Sequence, residues 1–213
     1  MSEKINLREL EGKAWKSVFD DGLWDIYLGS LLALMGVSAF MNSLELSEAL
    51  HMGIYIGLLV VVMLGMWAAK RFVTVPRIGR VKFGAERKKR RVKTSLVLFA
   101  SVVFGFILFL VVGGVARGDI SRALPWDAII PAAWALNMLL VFGLMGYYLQ
   151  FERLYFIGLL YAIVLPLDFI LDRMTEWHIV PYMFLCAGSI IVLVGVYHLR
   201  RFLRTNPVLD EGA

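Results

Sequence analysis

KRFVTVPRIGRVKFGAERKKRRVK, residues 70–93, separates two long apolar runs and orders the rest of the chain. It carries eleven Lys or Arg against one acid, Glu86, which is half of the 22 positive residues in the protein. Basic connections between membrane spans are held on the cytoplasmic side. The orientation of every neighbouring helix therefore follows from this loop.

The flanking composition agrees with a membrane protein. The 213 residues are 60% hydrophobic, with a mean hydropathy of +0.73, too apolar for a water-soluble domain of this length. Working outward from the loop, apolar runs are expected to cross the bilayer at about residues 24–41, 50–69, 94–115, 126–149, 154–171 and 179–199. Each is close to the roughly twenty residues a helix needs to cross ~30 Å of hydrocarbon. The expected fold class is an all-α integral membrane protein, a six-transmembrane-helix bundle with N- and C-termini cytoplasmic. Residues 1–23 form an interfacial segment, with Leu7, Leu10, Ala14 and Val18 at helical spacing. Residues 24–199 make the membrane domain and residues 200–213 a cytoplasmic tail. No cleavable signal peptide is expected, because residues 1–19 are charged throughout.

Charge tests this topology. It places nineteen of the 22 Lys and Arg inside and leaves three outside, Arg117, Arg122 and Arg173. A bias of that size sets orientation. Trp24, Trp67, Tyr147, Tyr148, Tyr155 and Tyr197 fall near the inner interface, and Trp126, Trp177 and Tyr182 near the outer one, where amphipathic rings prefer to sit. The expected location is the prokaryotic cell (inner) membrane. Within the loop, β-branched and charged residues alternate around Pro76 and Gly79, which predicts a small hairpin over residues 72–83.

The net charge of +5 is concentrated beside apolar spans, so it suits anionic lipid headgroups rather than nucleic acid. The lipid- or partner-binding residues are then Arg71, Arg77, Arg80, Lys82, Arg87, Lys88, Lys89, Arg90, Arg91 and Lys93. The loop lacks the aromatic interleaving of a nucleic-acid platform.

Polar groups inside hydrocarbon are the other source of function. Asn137 falls near mid-bilayer, as an interhelical hydrogen bond or a substrate contact. Asp168 and Asp172, beside the kink expected at Pro166, form with Asn137 the candidate ligand or proton site. Asp168, Asp172, Glu176 and His178 line an outward-facing pocket in one reading; in the other, Asp168 pairs with Arg173, Arg117 or Arg122. Asp21 and Asp25 share a helix face at the inner interface, where capping and interfacial ion pairing outweigh a Mg²⁺ site. His51 and His198 lie at opposite interfaces and have no ligand-spaced partner, so no metal and no cofactor are expected. The only cysteine, Cys186, lies in an apolar run and has no partner for an intrachain disulfide. No nucleophile elbow or glycine-rich phosphate loop is present, and no catalytic residue is assigned.

FDDGLWDIYLG (residues 19–29) and PRIGRVKF (residues 76–83) resemble a pattern found in a family of prokaryotic polytopic membrane proteins with no assigned activity. The resemblance implies a prokaryotic membrane protein. Both stretches meet the same interface under the expected topology, which predicts that Asp21 or Asp25 engages Arg77 or Arg80.

The expected function is a non-catalytic membrane subunit or scaffold whose basic loop contacts anionic lipid or a partner protein, including a second copy of the chain. The alternative is a small solute-transport component with a polar site near Asn137 and Asp168. Small residues Gly29, Ala33 and Gly36 in the first span are candidates for docking a partner helix, and Gly53 and Gly57 for close helix approach.

Overall fold

The computed structural model describes residues 19–44, 46–78, 85–121, 123–172 and 179–207. Their regular structure is entirely helical. In chain order the elements are α1 (Leu23–Met41), a short 3-10 helix (Asn42–Leu44), α2 (Glu48–Ala69), a π-helical turn (Lys70–Thr74) and α3 (Val75–Ile78). The remaining four are α4 (Ala85–Arg117), α5 (Trp126–Leu149), α6 (Arg153–Asp172) and α7 (Val180–Thr205). Among the described residues six helical stretches are long and apolar enough to cross a membrane.

The second of these runs from Glu48 to Arg77, longer than expected, because helix continues where a hairpin was expected. Residues 72–75 belong to the π turn and α3 rather than to a strand. Propagating an existing 22-residue helix adds hydrogen bonds cheaply, whereas a hairpin must be nucleated afresh. Pro76 follows the π turn near the end of this stretch, so its missing N–H removes only one hydrogen bond from the last turn. The other arm of that hairpin, residues 80–83, lies outside the described residues, as do residues 1–18 and 208–213.

Two compact units make up the chain. One comprises Met1–Ala85 and Gly188–Ala213, the other Glu86–Ala187. In the first, α1 and the latter part of α7 touch backbone to backbone. Gly22 and Gly29 are seven residues apart, as are Gly188 and Gly195, so each pair keeps to one face of its segment over two turns. A Cβ placed on Gly29 would lie 2.8 Å from the Gly188 carbonyl oxygen, and one on Gly188 would lie 2.6 Å from the Ala33 nitrogen. A Cβ on Gly195 would stand 2.7 Å from the Ile26 nitrogen. In lipid, where apolar faces gain little by leaving hydrocarbon, van der Waals contact of this kind is a main source of helix association. Gly29 and Ala33 thus pack against the chain's own last helix, which corrects their reading as a surface for a partner. Leu23, Leu32, Ile191 and Phe202 complete the buried part. Gly53 and Gly57 meet nothing within 4 Å, and α2 has no fully buried residue.

In the second unit, α5 and α6 pack as antiparallel neighbours across a tight turn. Gln150 takes a left-handed conformation there, at φ 56°. Gly158 abuts Phe142, whose ring centroid lies 4.8 Å from that of Tyr161. Trp134 Nε1 donates to the Tyr161 carbonyl at 2.9 Å, tying α5 to α6 between Pro131 and Pro166.

Candidate functional site

The charged end of the first unit is built around Asp21. Gly22 has φ 72°, a left-handed conformation costly for other residues, and any Cβ there would collide with the Gly195 carbonyl. This bend folds the Asp21 side chain back over the start of α1, where its Oδ1 accepts a hydrogen bond from the Leu23 N–H at 3.2 Å. Asp21 is completely buried, at 0% exposure. Its Oδ2 accepts from Lys70 Nζ at 2.6 Å and from Thr74 Oγ1 at 2.7 Å.

Lys70 and Thr74, four residues apart on the π turn, share a helix face and reach one oxygen together. Burying a carboxylate is costly unless it is both paired and hydrogen-bonded; here one cation, one hydroxyl and one backbone N–H meet that need. Those contacts also leave Asp21 poorly disposed toward a metal ion. Among the described residues no group of three or more His, Cys, Asp or Glu could hold one.

Among the described residues the cation that reaches Asp21 is Lys70, where the expectation named Arg77 or Arg80 for Asp21 or Asp25. Arg77 donates Nη1 to the Val73 carbonyl at 2.8 Å, and Arg80 lies outside the described residues. Because helix persists beyond Ala69, Lys70 arrives beside the start of α1, and Arg77 is carried about two turns farther along. Asp25 lies one turn into α1 and is 1% exposed. Helix α2 is fastened to α1 at the other end as well, where Ser38 Oγ and His51 Nε2 are 3.0 Å apart.

Beside the ion pair an open cleft of about 620 Å³ is lined by Asp20, Arg77, His198, Arg201, Phe202, Thr205 and Asn206. Its far wall is the last turns of α7. Thr205 Oγ1 donates to the Arg201 carbonyl at 3.1 Å, and Asn206 Nδ2 to the Phe202 carbonyl at 3.2 Å, so polar side chains close that helix end. A smaller hollow of about 400 Å³ is lined by Tyr197, Arg200, Arg201, Arg204 and Thr205. Neither the Asp21–Lys70–Thr74 cluster nor the cleft has a local motif. The signal available was topological: α1 begins where α2 and α7 end.

The basic connection is partly described. Arg71 is exposed and its guanidinium lies 5.3 Å from the Trp67 ring centroid. Lys89, Arg91 and Lys93 are exposed and Arg90 is half-buried. Lys93 Nζ lies 5.6 Å from the Tyr148 ring centroid within the second unit. Lys82 and the side chains of Arg87 and Lys88 lie outside the described residues.

Asn137 is half-buried and donates Nδ2 to Ser101 Oγ at 3.1 Å, linking α5 to α4. Asp168 is half-buried in α6; the Asp172 side chain and residues 173–178 lie outside the described residues. Arg117 donates Nε to the Gly113 carbonyl at 3.2 Å and stands 3.6 Å from the Asp119 carboxylate, both groups exposed.

Comparison of the chain with protein-family models, curated proteins and solved structures gives no match.

Proposed function

We propose that the chain is a non-catalytic subunit or scaffold of the prokaryotic inner membrane, with both termini cytoplasmic and a cationic face held against anionic lipid headgroups. The observation that carries this reading is the placement of cations of the basic connection on aromatic rings. Arg71 lies over Trp67 and Lys93 over Tyr148. Aromatic rings favour the headgroup level, and a Lys or Arg near an anionic leaflet contributes about 1 kcal/mol. The inside excess of nineteen positive residues over three outside supports the orientation. The two stretches resembling prokaryotic membrane proteins supply Asp21 and Arg77, which serve the same end of the first unit. The hydrogen bond from Asn137 to Ser101 fastens helices, which favours the scaffold over solute transport.

Thermal unfolding in nanodiscs with and without phosphatidylglycerol tests this. Anionic lipid should raise the Tm, and the combined variant Arg71→Gln, Lys89→Gln, Arg91→Gln, Lys93→Gln should lose most of the rise. An equal rise in that variant refutes the reading.

A further inference from the structure

We propose that the cleft between the start of α1, α3 and the last turns of α7 binds a phosphate ester of a polyol or amino alcohol. The ligand is either a lipid headgroup or a soluble monoester. The proposal rests on the reading above only in placing this end of the protein at the membrane surface; its residues, apart from Arg77, lie outside the basic connection.

Two guanidinium groups distant in sequence, Arg77 and Arg201, line the same cleft. The planar guanidinium fork matches the spacing of phosphate oxygens and donates to two of them at once. Arg77 is positioned by its bond to the Val73 carbonyl, yet its buried Nε takes no hydrogen bond among the described residues. That nitrogen is closed off from the cleft, so a ligand there would meet Arg77 through its Nη groups. The imidazole of His198 stands in the same wall.

Asp20 narrows the class of ligand. Among the described residues it is the one carboxylate of the lining, and it repels phosphate oxygens while accepting hydrogen bonds from hydroxyl or ammonium groups. A bare phosphate leaves Asp20 facing like charge. A phosphate ester whose alcohol carries further OH or NH donors places phosphate on the arginines and those donors on Asp20. The volume, about 620 Å³, falls within the range of small-molecule sites and exceeds what inorganic phosphate needs. The walls are held in register by the Gly22 and Gly195 backbone contact and by the buried Asp21–Lys70 pair, so the helices that carry the arginines are placed before the ligand arrives.

The test is isothermal titration of the full-length protein in detergent with three probes: dihexanoylphosphatidylglycerol, glycerol 3-phosphate and inorganic phosphate. One of the two esters should bind more tightly than inorganic phosphate. Preference for the lipid identifies a headgroup as the source, and preference for glycerol 3-phosphate a soluble metabolite. Arg201→Gln and Arg77→Gln should each weaken the preferred ester about tenfold or more, as expected for a lost charge-assisted hydrogen bond. Arg201→Lys should weaken it less, and Asp20→Asn should reduce the preference over inorganic phosphate. Arg117→Gln, at an exposed arginine outside both the cleft and the basic connection, should bind as the unaltered protein does, whether or not the lipid effect on Tm proposed above is found. Absence of ester binding overturns the proposal. So does unchanged binding by Arg201→Gln, whose exposed position makes misfolding an unneeded explanation, or an equal loss in Arg117→Gln.

Discussion

Alanine at Gly188 and alanine at Gly53 are the same chemical change in two helices, and they should alter stability in opposite directions. A Cβ at Gly188 would stand 2.6 Å from the Ala33 nitrogen, 2.7 Å from the Gly29 carbonyl oxygen and 2.9 Å from the Ala33 Cα. Favourable contact needs roughly 3.5 Å, so α1 and α7 must part by about 1 Å. All three obstructing atoms are backbone, and no rotamer change relieves them. Overpacking of this kind costs about 1–3 kcal/mol, against a helix-propensity gain of up to ~1 kcal/mol for Gly→Ala. The expected net loss for Gly188→Ala is about 1–2 kcal/mol. At Gly53 nothing lies within 4 Å, only the propensity gain remains, and Gly53→Ala should be neutral to slightly stabilising. Reversible unfolding followed by tryptophan fluorescence, in one detergent for all variants, reads both. A Gly188→Ala protein as stable as the parent would refute the backbone packing of α1 on α7. Loss of stability in Gly53→Ala would show that another helix covers α2.

Asp21→Asn removes the charge opposite a Lys70 that is 23% exposed, and should destabilise by about 3 kcal/mol in the same assay, the lower end for broken buried pairs because Lys70 reaches water. Adding Lys70→Met to Asp21→Asn should recover at least ~1 kcal/mol of that loss, and strict additivity in the cycle would mean the two charges do not interact. Asn137→Ala should cost only about 0.6–1 kcal/mol, as for other hydrogen bonds between membrane helices, and Ser101→Ala should add little to it; a loss above ~3 kcal/mol would show that Asn137 holds more than Ser101.

The number of spans and their approximate positions were legible in the sequence, because transfer of twenty apolar residues into hydrocarbon depends on local composition and little else. Residues 126–149 were expected as one span and form α5 with those bounds. The failure at residues 72–75 has the opposite character. Val73, Thr74 and Val75 favour strand locally, but they follow a complete helix and Thr74 is drawn to Asp21, so the tertiary context prevails. Heptad spacing shows that Gly188 and Gly195 share a face, as Gly29 and Gly36 do, but lipid satisfies an apolar face as well as a helix does, so spacing cannot name the partner. The carboxylate of Asp21 likewise had several cations within plausible reach. Local hydrophobicity determined which residues enter the membrane; backbone approach at the glycines, and the register that brings Lys70 and Thr74 to Asp21, were decided only when the helices packed.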